Sequence, residues 1–306
     1  MSTSQTALSP SADIACCDPL RRFLLRRATE RYLLRPEHLA SRFTAMDELD
    51  AISHLDQLSC ATCPDSAALI DRLTALRFQF EAANQALYDS ARSWIARHGH
   101  SFTLRRWLME PVSDQDGHNP RPGLGFDVRD EIVSGVLQLR EPGETLLPPS
   151  AEIAPYQPTP ARHILDLIAV ANLSPDDVLV DLGSGLGQVP LLTSILAGNR
   201  TLGVELQPAY VACAQESARN LNLDRARFVA ADARKADLSS GAVFYLFSPF
   251  TGSILRDVLQ RLLSESKKRQ ITICSLGPCT RVLQDQPWLE AKMPPNSERI
   301  TAFESQ

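Results

Sequence analysis

Apolar positions in the first hundred residues recur at helical spacing. The strongest pattern runs from Pro64 to His98, where apolar side chains return every three or four residues. These positions are Leu69, Leu73, Leu76, Phe80, Ala83, Leu87, Ala91 and Trp94. Two earlier helices are predicted, one from Asp18 to about Leu34 and one from Pro36 to about Leu58. Residues 1–100 therefore predict a helical N-terminal domain. Its long seam packs within a bundle, which we favour, or across a homodimer.

Residues 101–154 have a different character and predict a loop-rich connector. Turn-forming residues dominate positions 113–123, and six prolines fall between Pro142 and Pro160. A short ordered piece is predicted around residues 128–139. We expect this connector to lie over the surface of the domain that follows.

From residue 155 onwards, short apolar runs alternate with helical patterns. Strands are predicted at 178–181, 200–205, 226–231, 242–247, 270–274, 288–292 and 299–303, with helices near 188–197, 208–221 and 253–263. Thr159 is predicted to cap the first helix of this region, with Pro160 as its first residue. The last two strands form an antiparallel hairpin. The pattern predicts an α/β fold, a seven-stranded Rossmann-like sheet with one reversed strand, in a domain spanning residues 155–306.

Composition excludes several classes of protein. The formal net charge of −5 argues against general nucleic-acid binding, which needs a basic surface. No apolar run approaches the length of a membrane span, so no membrane association is predicted. The N-terminus has no signal-peptide pattern, and we expect a cytoplasmic protein.

The seven cysteines do not predict a metal site. Cys60 and Cys63 form the single CxxC pair, and zinc would need a second pair of ligands. Cys16, Cys17 and His54 do not supply it at a familiar spacing. We therefore expect plain thiols and no bound metal.

The run from Val178 to Gln188 carries the most chemical information. An apolar strand ends there in an acid, Asp181, and a turn with glycines at 183, 185 and 187, followed by a predicted helix. A dinucleotide site would place a third glycine at position 188, where this chain has glutamine. An acid before the turn suits a cationic, phosphate-free nucleoside. The pattern therefore predicts an S-adenosylmethionine site.

Two later strands also end in acids. Glu205 follows the second strand and Asp232 the third. Carboxyl ends of parallel strands share one edge of a sheet, so the three acids are predicted to serve one ligand. Asp181 would hold the amino-acid tail, Glu205 the ribose hydroxyls and Asp232 the exocyclic amine of adenine.

These motifs resemble class I S-adenosylmethionine-dependent methyltransferases over roughly residues 155–306. The turn Asp181–Gln188, with Ser184 and Gln188, is most similar to that of the disruptor-of-telomeric-silencing (DOT-like) protein lysine methyltransferases. Gly203-Val-Glu205 is similar to their second motif. The resemblance implies that Tyr156 and Thr159, just ahead of the first helix, lie over the methionine end of the cofactor. Gly183, Ser184, Gly185, Gly187 and Gln188 would then line the cofactor turn.

The end of the fourth strand is predicted to face the reacting atoms. The family has asparagine and nearby phenylalanines there, where this chain has Ser248-Pro249-Phe250. Phe247 is predicted to contact the sulfonium by cation–π attraction, Phe250 to line an acceptor pocket and Ser248 to contact the substrate. Tyr156 is the third candidate catalytic residue, and Tyr245 is assigned to the core.

The function predicted is methyl transfer to N or O of a protein, including its lysines, or of a small molecule. The alternative is a non-catalytic protein that binds the cofactor and uses its N-terminal helices to hold a partner. A nicotinamide-dependent oxidoreductase is disfavoured by Gln188.

Overall fold

A computed structural model describes residues 18–28, 30–56, 66–109, 125–142 and 150–306. The CxxC pair, Cys16, Cys17 and the loop 113–123 lie outside these residues. The chain divides into two compact units, Met1–Leu87 and Tyr88–Gln306. The domain boundaries predicted at residues 100 and 154 stay a prediction.

The first unit is helical. Its elements are α1 (Asp18–Ala28), α2 (Leu39–Asp56) and the N-terminal part of α3 (Ser66–His98), with two short 3-10 helices at Arg31–Leu34 and Pro36–His38. The first helix therefore ends at Ala28, six residues earlier than predicted. Its apolar face packs with the other helices in a core of Phe23, Leu24, Leu49, Leu69 and Leu73.

A buried arginine fixes the chain after α1. Arg42 of α2 is fully buried, and its Nε donates to Asn84 Oδ1 at 2.6 Å. Its guanidinium also donates to the carbonyls of Leu33 and Arg35. Because buried carbonyls and charges need partners, this arginine stabilises the turn between the two 3-10 helices.

The long helix α3 departs from its predicted seam near its end. Leu69, Leu73, Phe80 and Ala91 are buried as predicted, but Trp94 is 44% exposed and Ile95 is fully buried. On one face of a helix, the buried position after Ala91 can lie three or four residues later. Here it is Ile95, four residues later. The assignment of Trp94 to the seam was wrong.

The second unit begins with the end of α3, which is followed by two helices of the predicted connector. These are α4 (Phe102–Met109), which the sequence did not predict, and α5 (Val128–Leu137), which lies within the predicted ordered piece. The remaining helices are α6 (Ala161–Val170), α7 (Gln188–Ala197), α8 (Pro208–Asn220), α9 (Gly252–Ser266) and α10 (Cys279–Gln284). Among the helices that the structure describes, none is long and apolar enough to cross a membrane.

Among the described residues, seven strands form one mixed sheet. They are β1 (Val178–Leu182), β2 (Arg200–Glu205), β3 (Ala226–Ala230), β4 (Val243–Leu246), β5 (Thr272–Ser275), β6 (Leu289–Ala291) and β7 (Thr301–Ser305). Their spatial order is β3-β2-β1-β4-β5-β7-β6. The first five are parallel, and β7 runs antiparallel to both β5 and β6. The predicted α/β fold with one reversed strand is confirmed.

The helix before β1 is capped by a distant residue. Asp130 of α5 accepts a hydrogen bond from the backbone N–H of Ala161 at 2.7 Å, while its other carboxylate oxygen accepts one from Asp127 N–H. The helix begins at Ala161, and Thr159 makes no capping bond. The predicted Thr159 cap was therefore wrong, and α5 is tied to the start of α6.

Candidate cofactor site

The turn between β1 and α7 holds three glycines in the left-handed backbone region. Gly183, Gly185 and Gly187 have φ values of +88°, +52° and +82°. Side chains with a Cβ rarely adopt this conformation, so glycine is needed on backbone grounds alone. The turn is fixed to β2, because Gly183 N–H and Ser184 N–H both donate to the carbonyl of Val204.

Two predicted site segments lie directly against this turn. A Cβ at Gly185 would lie 2.3 Å from Cε2 of Tyr156, and one at Gly183 would lie 2.3 Å from Cβ of Pro249. No real contact is this short, so a side chain at either position would push its neighbour away. The structure therefore places Tyr156 and the segment after β4 on two sides of the turn.

A hydrogen-bonded chain joins the Tyr156–Thr159 segment to the turn and the sheet. Gln188, the first residue of α7, donates from Nε2 to the carbonyl of Thr159 at 2.9 Å. The Thr159 hydroxyl lies 3.2 Å from the hydroxyl of Tyr245 on β4. Tyr245 is 1% exposed, which confirms its assignment to the core. Gln188 thus positions the segment that crosses the turn.

Glu205 at the end of β2 holds the glycine turn. One carboxylate oxygen accepts from Gly185 N–H at 2.9 Å, and the other accepts from Gln207 N–H at 2.8 Å. Each oxygen keeps a second lone pair, so the carboxylate can still accept from ribose hydroxyls. Its predicted contact with the ribose stays a prediction, and its bond to the turn is an additional role.

Asp181 is a buried carboxyl at the end of β1. It is 4% exposed, and burial raises its pKa to about 8, with the negative charge of Glu205 adding to the effect. A buried acid beside a second acid is stabilised as a carboxylate by a cation. An ammonium group, as in the tail of S-adenosylmethionine, supplies such a cation.

Asp232, beyond the end of β3, is already paired. Its carboxylate accepts from the guanidinium of Arg234 at 2.7 Å and from the backbone N–H of the same residue. These hydrogen bonds lower the pKa of Asp232. The carboxylate is only partly buried and can accept further hydrogen bonds, and its predicted contact with the exocyclic amine of adenine stays a prediction.

The segment after β4 departs from its predicted chemistry. Ser248 has a φ of +45°, and its hydroxyl donates to the carbonyl of Leu276 and accepts from Cys279 N–H, both at 3.0 Å. Phe250 is 6% exposed and belongs to the main core cluster. The ring of Phe250 is therefore a core group, and the hydroxyl of Ser248 joins the ends of β4 and β5. Phe247 stays half-buried, and its contact with the cofactor stays a prediction.

Two residues that the sequence did not single out lie near Tyr156. The ring of Tyr210, in the first turn of α8, has its centroid 5.3 Å from that of Tyr156. The pKa of both tyrosines is raised chiefly by desolvation, and the negative charge of Glu141 adds to it. A tyrosine one turn after the acidic end of β2 was a usable signal. Glu141, within the proline-rich connector, gave none.

A glutamate latch holds the segment ahead of Tyr156 on the segment after β4. Glu152 accepts from Ser253 N–H at 2.9 Å and Ser253 hydroxyl at 2.7 Å, at the start of α9. Thr251 N–H donates to the carbonyl of Glu152, and Ile153 pairs with Phe250 in an antiparallel bridge. The latch thereby orders both segments that border the glycine turn.

If the chain carries out the predicted methyl transfer, replacing Glu152 with glutamine is expected to lower its kcat/KM roughly threefold to tenfold, because the bordering segments lose their fixed position. Glutamine keeps only one acceptor oxygen, so the backbone N–H of either Ser253 or Ile254, which bind different oxygens of Glu152, loses its acceptor. Steady-state kinetics with labelled cofactor measure the effect. Glu290→Gln, on an exposed position of β6, is the matched control. Equal kinetics for the two variants would show that the latch does not position the site.

The residues present fit S-adenosylmethionine. The three glycines of the turn have positive φ values and let Tyr156 and Pro249 lie directly against its backbone, and a buried acid with a raised pKa lies beside it. The hydroxyl of Ser184 in the turn is buried and has no hydrogen-bond partner among the described residues. The three acids lie at the ends of β1, β2 and β3, which are neighbours in the sheet. Tail, ribose and base would thus each meet a carboxylate.

The comparisons with known proteins find similarity over one segment of this chain. Residues 155–244 match the family model described as histone methylation protein DOT1. A histone-lysine N-methyltransferase, H3 lysine-79 specific, from two strains of Cryptococcus neoformans var. neoformans serotype D is 31% identical over 145 residues. The match covers 44% of this chain and 22% of that protein, so the chain spans about a fifth of that relative's length. The resemblance to the DOT-like group is confirmed over these residues, and with it S-adenosylmethionine as the cofactor.

Solved structures show a more distant likeness. An RNA methyltransferase from Salinibacter ruber in complex with S-adenosyl-L-homocysteine is 24% identical, covering 49% of this chain and 92% of that one, with a TM-score of 0.41. The human methyltransferase 10 domain containing protein is 16% identical, covering 57% and 93%, with a TM-score of 0.38.

Proposed function

We propose that this chain, whose residues 155–244 match the DOT1 family, is an S-adenosylmethionine-dependent methyltransferase that modifies a lysine side chain of a protein. The observation that carries the proposal is the junction at the glycine turn. There, Tyr156 and Pro249 lie against glycines of a turn that is flanked by Asp181 and Glu205. A substrate that enters between the two bordering segments reaches the cofactor turn.

The charges of the site suit cationic ligands. Asp181 and Glu205 are close enough for the charge of one to raise the pKa of the other, and Glu141 adds a third acid near Tyr156. When bound, the cofactor supplies a methyl group that is already activated on a positively charged sulfur. The protein therefore has to align the acceptor and exclude water, which is worth up to roughly 7–11 kcal/mol in favourable cases.

Tyr156 acts as a neutral hydrogen-bonding wall. Desolvation, together with the nearby acids, raises the pKa of its hydroxyl well above the ordinary value. The phenol therefore keeps its proton at neutral pH and can donate one hydrogen bond. An acceptor lysine must be neutral to attack, and a half-buried aromatic wall favours the neutral amine over the ammonium.

The proposal is tested by incubating the purified chain with methyl-labelled cofactor and a panel of protein acceptors, and locating the label by mass spectrometry. Label on a lysine nitrogen is the expected result. Asp181→Asn should abolish most of the transfer, whereas Asp176→Asn, an exposed acid just ahead of the same strand, should not. Label on a small molecule or on oxygen would overturn the proposed acceptor and retain the methyltransferase.

Cofactor binding without transfer to any acceptor would favour the second candidate, a non-catalytic binding protein. One observation supports this candidate. The hydroxyl of Ser248 and the ring of Phe250, two of the three predicted catalytic groups, are used in structural contacts. Calorimetry with S-adenosylhomocysteine separates loss of binding from loss of turnover.

A further inference from the structure

We propose that an exposed row of aromatic and basic side chains on α3 and α4 binds single-stranded nucleic acid. This row, the aromatic ladder, consists of the rings of Trp94, His98, His100 and Phe102, flanked by Arg97 and Arg105. The proposal goes beyond methyl transfer and does not depend on it.

The local sequence is strongly basic within an acidic chain. Residues 90–109 contain four arginines and two histidines but no aspartate or glutamate, while the whole chain carries −5. The negative net charge of the whole chain argues against general nucleic-acid binding, but this segment is locally positive. A local positive surface attracts phosphates whatever the net charge of the chain.

The four rings follow one another in space. The rings of Trp94 and His98 stack with centroids 4.1 Å apart, and the next two pairs, His98–His100 and His100–Phe102, are 6.3 Å and 5.2 Å apart. Phe102 is 75% exposed and Trp94 is 44% exposed. Exposed aromatic rings in series offer faces on which unpaired bases stack.

Cations lie one helical turn from the rings. Arg97 is three residues after Trp94 on α3, and Arg105 is three residues after Phe102 on α4, so each pair shares a helix face. Both arginines are exposed. Bases on the rings would therefore place their phosphates within reach of a guanidinium. An acidic peptide would use the arginines but would leave the rings without a partner.

The ladder is separate from the cofactor site. Asn222, which lies between α8 and β3, donates to the carbonyl of Ala96 at 2.9 Å. The end of α3 is thus fixed at the edge where the parallel strands begin. The glycine turn follows β1, at the opposite edge of the sheet. The ladder is therefore a docking surface for a partner, away from the reacting atoms.

The test measures fluorescence anisotropy of a labelled single-stranded oligouridylate with the full chain and no cofactor. Phe102→Ala should weaken binding roughly fivefold or more, because one stacked base is lost. The double variant Arg97→Ala/Arg105→Ala should reduce the slope of log affinity against log salt by about 1.4. The matched controls are Phe78→Ala and Arg72→Ala, exposed positions earlier on α3, which should bind like the parent.

Three results would overturn the proposal. These are no binding of the oligonucleotide by the parent chain, equal binding by all variants, and tighter binding of a duplex or of a polyglutamate peptide. Thermal unfolding of each variant shows whether it is folded. Titration of the parent with the oligonucleotide should quench its tryptophan fluorescence. The quenching should be absent in Trp94→Phe, and this difference shows that the oligonucleotide contacts the ladder.

Discussion

Replacing Gly185 with alanine is expected to weaken binding of S-adenosylmethionine roughly 5- to 100-fold, because forcing an extra methyl group into a packed contact costs about 1–3 kcal/mol and about 1.4 kcal/mol is tenfold in affinity. The added methyl group would lie 2.3 Å from Cε2 of Tyr156. Either the ring of Tyr156 moves away from the turn, or the turn moves and the hydrogen bond from Gly185 N–H to Glu205 is broken. Both changes disturb groups that border the cofactor. Isothermal titration calorimetry with the cofactor and with S-adenosylhomocysteine measures the loss.

Gly198→Ala is the matched control for this variant. Gly198 caps α7 with a φ of +72°, so alanine there pays the same kind of backbone cost. Its Cβ would come no closer than 3.8 Å to the ring of Pro175. The control should lower the unfolding temperature and leave the cofactor affinity unchanged. If Gly185→Ala bound the cofactor like the control, Tyr156 would have no part in the site.

Strand positions and their acidic ends were predictable because they depend on local sequence. β1 is buried along its whole length and is a continuous apolar run, while β2 and β3 are only partly buried but still contain short apolar runs that end near an acid, so all three were placed within a residue of their observed ends. Asp181 and Glu205 were found by the same signal. The glycine spacing fixed the turn, since its backbone requires positive φ values.

The failures concern choices that tertiary contacts decide. Thr159 has the sequence of a helix cap, but Asp130, 31 residues earlier, supplies the capping carboxylate. Trp94 and Ile95 both suit the seam of α3, and only packing selects between them. The sequence around Ser248 does not indicate a partner for its hydroxyl. In the fold the hydroxyl bonds to the carbonyl of Leu276 and to the N–H of Cys279, and so joins the ends of β4 and β5. No local pattern contains these partners.

The same limit explains what was missed in the site. The latch of Glu152 and the charge of Glu141 come from the connector, where prolines indicate loops and give no partner. These residues join the site because the connector lies against α9 and near Tyr156. A turn-rich segment that precedes a nucleotide-binding α/β domain can therefore supply residues that position the site, and these residues are found from the structure rather than from the sequence.

Replacing Asp181 with asparagine is expected to stabilise the free protein while weakening cofactor binding roughly 10- to 100-fold, the range for hydrogen bonds to a charged group. The pKa of Asp181 is raised to about 8 in the folded chain from an ordinary value of 3.8. Between these values the folded state holds a proton that the unfolded state releases. Stability therefore falls as pH rises through this window and is constant above it. Asparagine removes this loss, so the variant should unfold at a higher temperature than the parent at pH of about 8.

The second half of this prediction concerns the protons that are released or taken up when the cofactor binds. If the ammonium of the cofactor pairs with ionised Asp181, binding below pH of about 8 releases the proton that the free acid holds. Above that pH, the free α-amino group, with a pKa of about 7.7–8.0, must take a proton up. Affinity should then be highest near pH 8, and the number of protons exchanged should change sign there.

Calorimetry at about pH 6.5 in two buffers of different ionisation enthalpy counts these protons. The parent should release nearly one, and Asp181→Asn none. Asp176→Asn, exposed ahead of the same strand, should behave like the parent in affinity, proton count and unfolding temperature. An equal proton count for Asp181→Asn and the parent would show that the buried acid does not meet the ammonium. A lower unfolding temperature for Asp181→Asn would show that the carboxyl, with its raised pKa, is not a source of instability in the free chain.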